Sequence, residues 1–355
     1  MSAPATAAPG QTFWPRWIDD NAVGRLRQSI REGHFNHAYL LYGPSGVGKA
    51  ALSQAFAQVL CCTSRDSGDP SIACGICHGC RNVIRGTHPD VEVFSLESEA
   101  RLAEKPGRIA SLGIDTIRRL RASVSLLPLE SPRRVMIIED AESLPEPAQQ
   151  ALLKVLEEPP SSVIFLLLAD EPESLLETVR SRCESVQLRP ISKAAIENML
   201  SETGVDASLA SEIAALSHGL PSWAVSAVTD AKTLQTRRDE RDSARAWLSS
   251  SPYDRLVAAY KLGGQYSKRR SEIVRNIQSV ISVLREEMYR LTSPEQASSK
   301  NYSALPLAQN VTAHHVASAL VASLRCLDDL ERNVRPRLAL EAMVLAWPNL
   351  QFEPT

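Results

Sequence analysis

Gly43-Pro44-Ser45-Gly46-Val47-Gly48-Lys49 follows the apolar run Ala38-Tyr39-Leu40-Leu41-Tyr42 and precedes a helical pattern from Ala50 to Leu60. Strand, glycine-rich loop ending in lysine, then helix is the context a phosphate-binding P-loop requires. Gly43, Gly46 and Gly48 let backbone N–H groups approach a polyphosphate, the helix N-terminus adds positive potential, and Lys49 supplies a mobile charge. The next residue breaks the pattern. A Mg²⁺-dependent hydrolase needs a Ser or Thr hydroxyl after the lysine, and Ala50-Ala51 stands there instead. The stretch therefore reads as a nucleotide-binding scaffold whose own catalysis is in question, with ATP or ADP as its candidate ligand.

Outward from the loop, the helix carries Leu52, Phe56, Val59 and Leu60 on one face, as expected of a helix packed on a parallel sheet. Val91-Glu92-Val93-Phe94 reads as a short strand and Glu97 to Gly107 as a polar connector. Val135-Met136-Ile137-Ile138 is a buried-strand pattern that ends in Glu139-Asp140, the Walker B position. The acids stand in reversed order, Glu before Asp, which displaces both carboxylates relative to a metal and an attacking water. Ala148 to Glu158 is helical until Pro159-Pro160 stops it, and Val163 to Leu168 is a third apolar strand. His34 and His37, just before the first strand, read as hydrogen-bonded loop residues rather than as nucleotide contacts.

Cysteine usage points to a metal. Five of the seven cysteines fall in one segment, Cys61, Cys62, Cys74, Cys77 and Cys80. Two overlapping C-x₂-C pairs plus an upstream thiol match a closed tetrahedral Zn²⁺ site, with Cys61 competing with Cys62 as first ligand and His78 as a rival. Such spacing favours a reducing, cytoplasmic setting over a secreted disulfide framework. The net charge of −2 excludes a globally basic nucleic-acid binder, so any DNA contact is local or lent by a partner. No apolar run has the length of a membrane span, and residues 1–12, rich in Ala and Pro, are expected to be a disordered tail.

From Arg189-Pro190 onward the pattern is helical, with a stripe of Ile273, Ile277, Val280, Ile281, Leu284, Met288 and Leu291 that signals a helix bundle. The P-loop, the cysteine insertion after its helix, Ala151-Leu152-Leu153-Lys154-Val155-Leu156-Glu157-Glu158-Pro159-Pro160 and Ser181-Arg182-Cys183 together resemble the clamp-loader branch of the AAA+ ATPases. The resemblance implies an α/β P-loop domain over residues 13–189 with a zinc module at 62–80, a small helical lid over 190–235, and an all-α collar over 236–355 that joins subunits in a ring.

It further implies a pentameric ring with gamma/tau-type and delta-type subunits that opens a sliding clamp and places it on primed DNA, within an assembly that has DNA polymerase activity. The zinc ligands carry over to Cys62, Cys74, Cys77 and Cys80, and an arginine finger acting in trans carries over to Arg182. Ala50, the reversed Glu139-Asp140, Ala169-Asp170 and Ser222 depart from what motor subunits place at those positions. The expectation is a member that neither binds nucleotide well nor hydrolyses it. The alternative is an active ATPase of the gamma/tau kind.

Overall fold

A computed structural model describes residues 14–64, 68–102, 111–292, 311–332 and 334–348. The expected N-terminal tail lies outside them. The chain divides into two compact units, residues 1–229 and 230–355.

The first unit is built on a five-stranded parallel sheet of order β2-β3-β4-β1-β5. Its strands are β1 (Ala38–Tyr42), β2 (Val91–Phe94), β3 (Arg134–Ile138), β4 (Val163–Ala169) and β5 (Glu184–Gln187). The central strands β3 and β4 are buried at every position, which is why they read as continuous apolar runs. Alternate residues feed two cores. Tyr39, Leu41, Ile137, Ile164, Leu166 and Leu168 pack against α1 (Asp20–Glu32) and α2 (Lys49–Cys61). Leu40, Met136, Ile138, Phe165 and Leu167 pack against α5 (Ile114–Val124) and α6 (Glu146–Glu157).

Two elements differ from expectation. Glu184–Gln187 forms the edge strand β5 beside β1, although only Val186 of its four residues is buried. The polar connector begins instead with the short helix α4 (Leu96–Leu102), preceded by Ser95, whose hydroxyl accepts from the Ser98 N–H.

Because all five strands run the same way, functional positions sort onto two opposite rims. Gly43, Glu139 and Asp170 follow the C-terminal ends of β1, β3 and β4, whose register aligns Tyr42 with Ala169 and Ile138 with Leu167. Asn36, His37, Arg133, Ser161 and Arg182 precede strands and lie along the other rim. Three helices complete this unit, α8 (Lys193–Glu202), α9 (Ala207–Leu216) and α10 (Pro221–Thr229).

The second unit is helical among its described residues. Ala231–Leu248, Pro252–Thr292 with a break at Arg269, Ala313–Glu331 and Pro336–Leu345 surround a core of Ile273, Ile277, Val280, Leu284, Val316 and Leu340. The expected lid limit at residue 235 falls inside the helix Ala231–Leu248, capped by Asp230. No helix among the described residues is long and apolar enough to cross a membrane.

Candidate functional sites: a self-liganded P-loop, a thiol cage and a rim arginine

The P-loop bends sharply out of β1. A Cβ at Gly43 would lie 2.2 Å from the Leu188 carbonyl oxygen, so only glycine permits this close approach. The loop is walled on its other sides. A Cβ at Gly48 would meet Ile18 at 3.1 Å and Trp17 at 3.2 Å, one at Gly46 would meet Leu220 and Trp223, and the Ser222 N–H donates to the Gly46 carbonyl at 3.0 Å. Lys49 folds back within this enclosure. Its ammonium donates to the Gly43 carbonyl at 2.6 Å, to the Pro44 carbonyl at 3.3 Å and to Asp170 Oδ1 at 2.6 Å, leaving the side chain 12% exposed.

Acid residues ring this rim. Burial, reinforced by Asp140 and Glu97, pushes the Glu139 carboxyl above its usual range. Burial likewise raises Glu142, with Asp170 and Asp140 adding to it against its own backbone N–H and Lys49, and its Oε2 is buried without a hydrogen-bond partner. Asp140 itself is exposed, in a left-handed conformation at φ 53°. The sequence reading brought Gly43, Gly46, Gly48, Lys49, Glu139 and Asp140 to this rim but missed Glu142, which has no motif to mark it. His34 and His37 precede β1, at the end of that strand away from the loop.

The cysteine segment folds around α3 (His78–Arg85). Cys62 follows the last turn of α2, while Cys77 caps α3 and accepts from the Cys80 N–H at 3.4 Å. The four sulfurs of Cys62, Cys74, Cys77 and Cys80 lie within 4.8 Å of one another. A tetrahedron of ~2.3 Å metal–sulfur bonds has edges of ~3.8 Å, so small side-chain adjustments fit this cage to Zn²⁺ or an ion of similar size. Burial raises the Cys80 thiol and opposes ionisation of Cys77, but N–H and hydroxyl donors at Cys80 and Thr63 draw Cys77 down to about 6.

Cys61 stands apart, fully buried in the core beneath α2. His78 also turns away, to Glu130 Oε2 at 3.3 Å and to Asn82. The intervening loop is moored by Asp69, which pairs with Arg27 at 3.1 Å and with Arg31, and by Trp14, whose indole donates to the Ser71 carbonyl at 2.6 Å.

Arg182 lies on the opposite rim, in the turn between α7 (Glu177–Arg180) and β5. Its guanidinium donates to the Thr178 carbonyl at 2.9 Å and to Glu157 Oε1 at 2.7 Å, at the end of α6. A strand of four to five residues at ~3.3 Å each puts ~15 Å between this rim and the chain's own P-loop. Arg182, with its side chain 35% exposed, is therefore beyond reach of its own Lys49.

A further residue escaped the sequence reading. Asp90 is fully buried before β2, and its carboxylate accepts the N–H groups of Leu129, Glu130 and Ser131 at 2.7, 2.8 and 2.9 Å and the Ser131 hydroxyl at 3.0 Å. These donors outweigh burial and hold its carboxyl below the usual range. It pins a loop that presents Leu126, Leu127 and Leu129 to solvent.

Sheet, P-loop, thiol cage and following helices define a P-loop α/β protein with a four-cysteine insertion that could hold a metal ion. Residues 18–192 match the family model described as "DNA polymerase III, delta subunit". Over that stretch the chain is similar to delta-prime subunits of DNA polymerase III. It is 43% identical over 148 residues to DNA polymerase III subunit delta' of Pseudomonas aeruginosa, which covers 41% of each chain.

The Escherichia coli subunit delta' is 35% identical over 177 residues, 50% of this chain and 49% of that one. The gamma/tau subunit of Mycobacterium tuberculosis is 32% identical over 170 residues, 48% of this chain and 27% of that one. The chain thus spans about half the length, or less, of the curated relatives it matches. A gamma subunit-related protein of Thermotoga maritima aligns over 91% of this chain and 97% of its own, at 16% identity and a TM-score of 0.36. So loose a likeness assigns neither domains nor mechanism.

Proposed function

We propose that this chain is a non-motor, delta-prime-type subunit of a bacterial clamp loader, acting in the cytoplasm in a five-membered ring with gamma/tau-type and delta-type subunits. In that ring it helps place a sliding clamp on primed DNA. Residues 13–189 act as the AAA+ domain, residues 190–235 as a lid and residues 236–355 as the collar. Cys62, Cys74, Cys77 and Cys80 hold a structural Zn²⁺ that ties the insertion to α2 and α3. Arg182 acts as an arginine finger toward the neighbouring subunit's ATP.

One observation carries the finger: Arg182 sits on the rim opposite its own P-loop, held as a fork by Glu157 and the Thr178 carbonyl. A planar, permanently charged guanidinium on that rim suits stabilisation of charge on a transferring γ-phosphoryl group. Fingers supplied in trans are worth ~10³–10⁵ in rate, diluted in a ring by sites that keep their own. The departures at Ala50, Glu139-Asp140, Asp170 and Ser222 support a subunit that contributes this group without turning over ATP itself.

The test is reconstitution with gamma/tau-type and delta-type partners. Arg182→Ala is expected to leave folding, metal content and assembly intact while lowering ATP hydrolysis and clamp loading. Arg182→Lys is expected to rescue poorly, since an ammonium keeps charge without the fork. Wild-type loading by both variants would reject the finger. The gamma/tau alternative, which the intact Gly48-Lys49 and the 32% identity to gamma/tau favour, predicts instead that the isolated chain hydrolyses ATP and that Lys49→Ala abolishes it.

A further inference from the structure

We infer that Asp170 is the resident anion of this P-loop, holding Lys49 as a nucleotide phosphate would and keeping a latent nucleoside-diphosphate site closed. An ammonium has three N–H groups. Those of Lys49 have three acceptors within the chain, Asp170 Oδ1, the Gly43 carbonyl and the Pro44 carbonyl. The lysine is only 12% exposed, so its hydrogen-bonding capacity is spent within the chain, while the Asp170 carboxylate that holds it is 45% exposed and open to exchange with an arriving anion.

The surroundings reinforce this state. The Gly46 carbonyl is taken by the Ser222 N–H, which draws the first turn of α10 onto the loop. An arriving phosphate would have to displace the Asp170 carboxylate and then sit beside it, with Glu142 and Asp140 adding negative charge nearby. The loop itself keeps what a diphosphate needs, glycines at left-handed positions and the N-terminus of α2. Ala50 offers no hydroxyl for Mg²⁺, so the ligand class is a nucleoside diphosphate bound without metal rather than Mg²⁺–ATP. The inference deepens the non-motor reading. It is read on the isolated chain, whereas that reading stands or falls on the assembled complex and on hydrolysis.

The experiment titrates the full chain with a fluorescent ADP analogue without Mg²⁺, using wild type, Asp170→Asn, Asp170→Thr and the double variant Lys49→Ala/Asp170→Asn. Both single variants are expected to bind at least about tenfold more tightly than wild type, because a repelling charge next to the phosphate is gone and Lys49 is freed. The double variant is expected to lose the gain.

Bound metal and thermal unfolding confirm that each variant is folded. A parallel measurement on wild type needs no variant: Lys49 should acylate more slowly than the exposed Lys232, and ADP at about 1 mM should not alter its rate, since Asp170 already occupies it. Single variants that bind no better than wild type, a gain that survives Lys49→Ala, or ADP protection of Lys49 in wild type would each overturn the assignment.

Discussion

Replacing Asp90 by Asn changes one end of a buried carboxylate and should cost several times a typical surface substitution. Oδ1 accepts the Leu129 N–H at 2.7 Å, and Oδ2 accepts the Glu130 and Ser131 N–H groups and the Ser131 hydroxyl. An asparagine keeps one acceptor oxygen and brings an NH₂ group that faces a donor. In the better of its two orientations the Leu129 N–H is orphaned, at about 1–3 kcal/mol, and three charge-assisted bonds become neutral ones, at about 0.5–1 kcal/mol each. The total is about 2.5–6 kcal/mol.

The sign of the pH dependence follows from the lowered Asp90 carboxyl. A carboxylate depressed in the fold stabilises fully above its unfolded value of ~3.9 and loses that contribution as pH falls through the folded value. The gap between wild type and Asp90→Asn is therefore expected to be widest near neutral pH and to narrow below ~pH 4. Urea unfolding at pH 7 measures the gap, and hydrogen exchange shows whether the amides of Leu129, Glu130 and Ser131 lose protection first. A loss under about 0.5 kcal/mol with unchanged exchange at those amides would refute the accounting, since it would mean that the four bonds contribute nothing net.

The remaining expectations concern the metal module. Protein purified without chelator should carry one Zn²⁺ per chain by elemental analysis, and Cys77→Ser should lose it; isolated structural zinc peptides gain ~10–16 kcal/mol from the metal, so residues 62–80 should become protease-sensitive while the sheet persists. Gly79→Ala should also loosen the module, because the added Cβ would stand 2.4 Å from the Cys61 carbonyl oxygen, a backbone atom that no rotamer change can move aside. A melting temperature lowered in keeping with about 1–3 kcal/mol, together with weaker metal retention, is expected; an unchanged melt would show that α3 shifts freely.

Much of the first unit was readable because its signals are local. β3 and β4 are buried on both faces, so from Val135 and from Val163 onward their sequences are apolar runs, and α2 announces its packed face through Leu52, Phe56, Val59 and Leu60. The cysteines were readable for the same reason, since C-x₂-C spacing lets one turn bring two thiols to one ion. Choosing between Cys61 and Cys62 took the fold: both are buried at the end of α2, but only Cys62 joins the four-sulfur group.

What the tertiary structure alone decided rests on pairings between distant residues. β5 is an edge strand with one buried side chain, made a strand by its ladder to β1 rather than by any periodicity of its own. The Asp90 cradle joins groups about 40 residues apart, and the Lys49–Asp170 pair spans 121. Their carboxylates look like any others in the chain, because a carboxylate's role depends on which donors the fold brings to it and how much water it excludes. The sequence could place a phosphate-binding loop after β1, since glycine spacing and helix start are local. That an aspartate following β4 already holds its lysine follows only from parallel strands β1 and β4 ending side by side.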